Sequence, residues 1–574
     1  MSVFKRSSAV ALALALLITG CAGQGGPGPA SSGGEAQRTG QPKRIVAAVQ
    51  SNPPTISSQQ VAAGSGTLQG GDGLEDLLNA GMSVFDNKGN VVPQLAEQVP
   101  SVENGLWKLL PDGRMETTWQ IRPGAEWHDG TPLTTNDLLF SIKLGQDREL
   151  PFFTNAGFDV VEGAVASDAR TITVTWKRLY IQAHRLFTRQ FGFPRPEHVL
   201  SAAYEQNKET VPTLTYWNED YVGAGAFKVR QWVAGSHALA VANDRYVLGR
   251  PRIDEIEIRF IPDSNALAVN LLAGEVEIVL GRNLSLKQAM PLRDQWKDGK
   301  ISVGLNNWIA VWPQLLNPNP AVMLDVQFRR ALYHAIDRPQ LVETLQEGLV
   351  PVAHTFVAPT EPAHKDIEPA IVRYDYDPRR TAQLLEGLGY VRGSDGEWRD
   401  AAGQLLTLEV RTDGGGGDDE QETAALAVND AFRRVGISSS PLILTQQQRL
   451  DRELNSTYPG VRVWRLPNDL WTVDRYASPA APLPQNRFNG GNRSRYLNPE
   501  FDALIDRYMT TIVERDRINV LSQVVHHMTD QLNVMGMWYN TEPVPIGNRL
   551  QNVTASDVGG ATSAWNAHLW DLTR

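Results

Sequence analysis

Residues 115–144 read METTWQIRPGAEWHDGTPLTTNDLLFSIKL, and they hold a strand, a tight turn and a capped helix in one short run. Met115, Thr117, Trp119 and Ile121 alternate with Glu116, Thr118, Gln120 and Arg122, the period-2 pattern of a strand with one buried and one wet face. Pro123-Gly124 stops it. Asp129-Gly130 favours a tight turn because both residues tolerate positive φ, and Pro132 follows with its φ already fixed. Thr134 is placed to cap a helix, with Asp137 at the capping-box spacing and Leu138, Leu139 and Ile142 as the apolar stripe.

The same grammar extends in both directions. Residues 43–49 read as a strand and 74–85 as a helix. Ile256, Ile258 and Phe260 alternate with Glu257 and Arg259 as a strand; Pro262-Asp263 then starts a helix over 265–273 that Gly274 ends, and 275–279 returns as a strand. Phe328, Leu332, Ala335 and Ile336 fall at helical spacing, and Asp337 with Pro339 starts a second helix that runs to Gly348.

A chain of 574 residues is too long for one core. Its formal charge of −10, with no long basic run, argues against nucleic acid and against an anionic membrane surface as a partner of the folded part. The beginning is different. Lys5 and Arg6 precede an apolar run over 9–18 that is too short to span a bilayer, as in a signal peptide, and Ile18-Thr19-Gly20-Cys21 resembles a bacterial lipobox. Cys21 is the only cysteine, so no disulfide within the chain is possible, and it is the expected site of lipidation. Residues 22–42, rich in Gly, Ser, Pro and Gln, cannot offset their ordering entropy by burial and read as a tether.

Arg122-Pro123-Gly124, His128-Asp129-Gly130-Thr131-Pro132 and Asn136-Asp137-Leu138 together resemble the signature of the family 5 extracellular solute-binding proteins of ABC importers, the peptide, dipeptide and nickel binders. Further blocks support the likeness: 86–96, the Gly223-Ala224-Gly225-Ala226-Phe227-Lys228 element, Gly274-Glu275-Val276-Glu277-Ile278, the helix pair from Phe328 to Gly348, 376–390 and Tyr496–Asp502. The resemblance implies an α/β, two-lobed periplasmic-binding-protein-like fold with a hinge and a ligand cleft between the lobes. It divides the chain into a signal peptide (1–20), a lipid-anchored tether (21–42), lobe I (43–280, rejoined by 535–574) and lobe II (281–534). It also implies a monomer at the cell envelope, on the outer face of the cytoplasmic membrane or in the periplasm. There it captures an oligopeptide, dipeptide or other solute and delivers it to ABC permease subunits with their ATPases. Thr55, in the loop after the first strand, would border the cleft.

The residues themselves contain no G-x-S-x-G elbow, H-E-x-x-H helix, P-loop or Rossmann glycine fingerprint, so no enzyme, no cofactor and no metal centre is expected. His526-His527 point about 100° apart on a helix and chelate poorly. Trp217, Trp308, Trp312, Trp464, Trp471 and Trp538 lie outside the strongest blocks, where a binder would vary its pocket, and ordinary core packing accounts for any one of them equally well. Gly223 and Gly225 either make a close turn or leave amides facing a ligand. Asp469, between Trp464 and Trp471, either caps a helix beginning at Leu470 or meets a ligand's ammonium group. A surface-anchored hydrolase and a sensor or scaffold using the same fold remain as rival functions, as do a sugar or a nickel chelate as the solute.

Overall fold

The computed structural model describes residues 41–60, 69–150, 153, 156–281, 284–414, 419–449 and 451–573. The signal peptide, most of the tether and Cys21 lie outside the described residues.

Ten strands form one continuous sheet: β1 (Arg44–Val49), β2 (Phe227–Val233), β3 (His237–Ala242), β4 (Glu255–Phe260), β5 (Ile278–Val279), β6 (Gly299–Pro313), β7 (Thr407–Asp413), β8 (Ser438–Leu444), β9 (Val461–Pro467) and β10 (Met535–Gly547). Their spatial order is β8-β7-β9-β6-β10-β5-β1-β4-β3-β2. β1 runs parallel to β4 and β5 in one half, and β7 runs parallel to β8 and β9 in the other. Residues alternate as the sequence requires: Ile256, Ile258 and Phe260 are buried on one face of β4 while Glu257 and Arg259 stay at the surface side. Each buried isoleucine contributes on the order of 1.5–3 kcal/mol relative to an exposed one.

The two halves are joined through β6 and β10, which are long enough to belong to both. Residues 299–304 of β6 pair with the C-terminal part of β10, which in turn pairs with β5. Residues 307–311 pair with the N-terminal part of β10, while 307–313 also pair with β9. Between Gly304 and Asn307 the register shifts, the extra residues of a bulge, which bends and twists a ribbon locally. This arrangement is the two-lobed α/β fold expected from the sequence.

The block 115–144 takes the form its residues dictate. Met115–Gln120 is a strand of a separate four-stranded sheet, its Met115, Thr117 and Trp119 buried. Gly130 adopts φ 92° in the turn, and the helix Thr135–Gln146 begins where the Asp137 carboxylate accepts the Thr134 N–H at 2.8 Å. Asp263, Asp337, Asp377 and Asn498 likewise cap the helices that follow them.

One expectation is overturned. Residues 74–85 are not one helix: the helix spans Gly71–Leu78, the chain turns extended at Asn79, and Ser83–Phe85 pairs with Val91–Pro93 as a strand. The reason lies at residue 79. Its side chain accepts the N–H groups of Ala80 and Ala224, an alternative to continuing the helical ladder that asparagine is well suited to offer.

Candidate functional site

Two cavities flank the β6–β10 ribbon. The larger, about 950 Å³, lies where the helix Leu286–Gln295 faces the helices Arg338–Leu345 and Asp419–Arg434, with Trp538 of β10 in its wall. Its geometry starts from caps. Ser285 and Gln288 form a reciprocal capping box, which leaves the Leu286 amide free to donate to Glu420 Oε1 at 3.1 Å. A carboxylate against a helix N-terminus is favoured by the exposed amides and by the helix dipole. That bond also ties a helix that contacts β6 and β10 and shares a buried apolar cluster with Ala48 and Val279 to a helix packed on β7 and β8. The indole Nε1 of Trp538 is buried and, among the described residues, has no hydrogen-bond partner. A volume of this size suits a ligand of several residues rather than a lone ion.

The smaller cavity, about 200 Å³, opens at the bulge itself. Asn306 and Asn307 each donate Nδ2 to the Glu542 carboxylate at 2.7 Å, and Arg465, Asp72 and Gly70 complete a polar lining drawn from both halves.

The residues singled out in the sequence are not gathered in either cavity. Thr55 is half-buried, its hydroxyl engaged with Gln60 Oε1 at 3.1 Å and the Trp217 carbonyl at 3.3 Å. Gly223 and Gly225 pack on the end of the helix Gly71–Leu78, so close that a Cβ on either would overlap the Leu78 carbonyl group. The Gly223 N–H donates to His128 Nδ1 at 3.2 Å, the Gly225 N–H to the Leu78 carbonyl, and the Gly225 carbonyl meets His128 Nε2 at 3.1 Å. His128 is thereby a structural clasp, and burial pushes its pKa down to about 3. Trp312 is fully buried and stacked on Tyr476 at 6.0 Å. Trp464 is half-buried, with the Arg462 and Arg493 guanidiniums 4.0 and 3.9 Å from its ring centre.

Asp469 caps the 3-10 helix Leu470–Tyr476, accepting the amides of Trp471 and Thr472 at 3.1 and 2.9 Å, and Arg475 lies 3.6 Å away. It packs beside Gly559, one of the residues lining the smaller cavity: a Cβ on Gly559 would come within 3.4 Å of the Asp469 Cβ. Burial, and then the Asp469 charge, pushes Glu361 up to about 7. Trp471 is held from the first half of the chain: Phe85 and His184 rings lie 6.4 and 5.5 Å away, Arg185 is 5.0 Å above it, and Gln182 donates to its carbonyl.

Of the tryptophans named above, only Trp538 reaches the larger cavity. The remaining lining, including Ser285, Thr344, Gln346 and Glu420, carries no local motif. The one available signal was the Ser285-x-x-Gln288 capping box, which marks a helix start without saying what faces it. Among the described residues no group of three or more His, Cys, Asp or Glu is disposed to hold a metal. His526 turns to the Ala370 carbonyl and His527 to the Tyr496 hydroxyl.

Comparison with known proteins places this geometry. The model of bacterial extracellular solute-binding proteins, family 5 Middle, matches residues 90–483. The oligopeptide-binding protein AppA of Bacillus subtilis is 22% identical over 441 residues, covering 75% of this chain and 74% of its own. The oligopeptide-binding protein of Thermus thermophilus, solved with a pentapeptide, superposes with a TM-score of 0.72 at 21% identity, over 92% of this chain and 96% of its own. NikA of Brucella suis, solved with Fe(III)-EDTA, gives 0.73 at 16% identity, over 92% of this chain and all (100%) of its own.

Proposed function

We propose, since this chain belongs to the bacterial extracellular solute-binding proteins of family 5, that it captures an oligopeptide between its two halves and delivers it to an ABC permease and its ATPases. The observation that carries the peptide reading is the cavity of about 950 Å³ between helices of both halves, walled by Trp538, whose buried N–H awaits an acceptor. A peptide supplies such acceptors along its backbone, together with apolar side chains for the indole face. The relatives named for oligopeptides support the same class.

Capture works as a hinge equilibrium. A solute that touches both halves biases the ribbon of β6 and β10 toward closure by the difference in its affinity for the two states. The lobes are 43–280 with 535–574, and 281–534, although the helix Leu286–Gln295 just past that boundary packs with the first. Capture breaks no bond. Cys21, acylated at the membrane, anchors the protein through the tether, and Cys21→Ser should free it from membranes without changing solute affinity.

Native mass spectrometry of the chain purified from its own cells tests the reading. Excess masses that fragment as peptides are expected, with a melting temperature that falls once they are removed. A preparation that carries no peptide, and takes up none from a mixed tri- to pentapeptide library, would remove peptide as the solute.

A further inference from the structure

The helix Ser264–Leu272 turns an uncharged face to the outside. From Ser264 to Gly274 the chain carries no charged residue, although 21% of all its residues are charged. Leu267 and Leu271 make the buried face, packed with Ala48, Val276 and Val279. The other face leaves Ala266, Val269, Leu272 and Ala273 exposed, Val269 at 64% and Leu272 at 41%. These positions fall at i, i+3, i+6 and i+7, which gathers them into one stripe, with Asn265 as its one polar member. A helix side that meets only water carries polar and charged residues; this helix is apolar on both sides, the composition of one with a second apolar neighbour.

Its place in the fold says which neighbour. Past Gly274, at φ 71°, the Glu277 N–H donates to the Val46 carbonyl at 2.8 Å and the Glu277 carboxylate accepts the Val46 N–H at 3.1 Å. The end of the helix and the start of β1 thus share one end of the ten-stranded sheet. Arg549 donates to the Arg44 carbonyl there at 3.0 Å, and Lys43 meets Asp571; Leu569, two residues before Asp571, is another exposed apolar side chain. Lys43 is also where the tether, residues 22–42, enters the fold. A Gly- and Ser-rich chain of about 20 residues has an r.m.s. reach of roughly 25 Å. Acylated Cys21 therefore keeps this end of the sheet close to a bilayer.

We propose that the exposed stripe of Ser264–Leu272 rests in the headgroup boundary of the membrane that holds the acylated Cys21. The proposal rests on that reading of Cys21. Two apolar side chains bury fewer methylene groups than one myristoyl chain, itself a marginal anchor, so the stripe does not bind membranes from solution. On the tether its effective concentration at the bilayer rises toward the millimolar range, and a weak contact becomes a populated one. The contact is apolar and asks for no lipid charge, which suits a chain of formal charge −10. It sets the half of the sheet that carries β1 against the membrane instead of leaving it to tumble on its leash.

Because Cys21 is the only cysteine and acylation occupies its sulfur, Val269→Cys and Leu272→Cys each offer one reactive thiol on the full-length lipoprotein. Each is labelled with a nitrobenzoxadiazole fluorophore and reconstituted at low density into phosphatidylcholine vesicles, with and without a nitroxide-bearing lipid. Val165→Cys is the reference, since Val165 is 71% exposed on the separate four-stranded sheet. Nitroxide quenching at 269 and 272 is expected to be at least ~3-fold that at 165, and adding Leu272→Asp should return the 269 label to the reference level. Quenching no greater at 269 and 272 than at 165, in protein that floats with the vesicles, overturns the membrane contact and leaves the anchor standing. A shielded 269 label that persists in detergent and grows with protein concentration gives the face to a second copy and overturns lipid as its occupant. Protein that does not float with vesicles overturns the acylated anchor and this contact together.

Discussion

The clasp at His128 and the cation stack at Trp464 are both polar assemblies, and they are built on opposite terms. At His128 the donors and acceptors close on themselves: both ring nitrogens, the amides of Gly223 and Gly225 and the Gly225 carbonyl all have partners inside the chain. At Trp464 the Arg493 guanidinium lies 3.9 Å from the ring centre and, among the described residues, pairs with no carboxylate within 4 Å. A closed assembly has nothing to offer a ligand and everything to lose from disturbance; an open one costs stability until something outside completes it. The contrast between them lies in whether each polar group meets a partner inside the chain.

The contrast would break first at Gly223. Gly223→Ala drives a methyl group into the Leu78 carbonyl, and overpacking of this kind should cost about 2–3 kcal/mol in chemical denaturation. A variant that unfolds with the wild type but loses solute affinity would instead put these glycines at the ligand.

Acid should act on the closed assembly next. His128 and His184 both have pKa values held down to about 3, His128 by burial and then by the Lys228 charge, His184 by burial and then by Arg185. The ordinary value in the unfolded chain is near 6.5, so between 6.5 and 3 the unfolded state binds the extra protons. Stability is therefore complete above pH 6.5 and falls below it, by up to about 1.4 kcal/mol per pH unit for each histidine. Denaturation midpoints at pH 7, 6 and 5 read the slope, and His128→Gln should flatten it; a slope unchanged by that variant means the clasp is not the group titrating.

The smallest effect sharpens the open side. Asp469→Asn keeps an oxygen to cap Leu470–Tyr476, so stability should change by no more than about 1 kcal/mol. Loss of the negative charge should let Glu361 fall from about 7 toward its ordinary range, which a carboxyl titration by NMR would follow. Weakened binding of an amine-bearing peptide by the same variant would add a ligand contact to the capping role; unaltered affinity leaves Asp469 a cap.

What could be read in the sequence was whatever is specified over short distances. The strand at Met115–Gln120, the capped helix after Thr134 and the cap at Asp469 follow from neighbours a few residues apart, and all are present. The helix written across 74–85 failed because Asn79 prefers bonds to Ala80 and to Ala224, and the second lies 145 residues away. The His128–Gly223–Gly225 clasp was visible only as separate family blocks, because 95 residues separate its members. The cavity between the halves was hardest to see. It is assembled from helix flanks such as Leu286, Thr344 and Thr423, which look like any other surface until the two halves of the sheet bring them together.

The interleaving of β6 and β10 also sets an order of manufacture. The half of the sheet that holds the first strand is completed by the last: Ile278 pairs with Ile546, Arg549 donates to the Arg44 carbonyl, and Lys43 meets Asp571. When a ribosome has made about the first 300 residues, this half has most of its helices but an open edge at β5, the kind of edge on which chains aggregate. At about 5–20 residues per second, the strand that covers it arrives roughly tens of seconds later. A chain that stops short of β10 leaves that edge open and has no finished lobe at all.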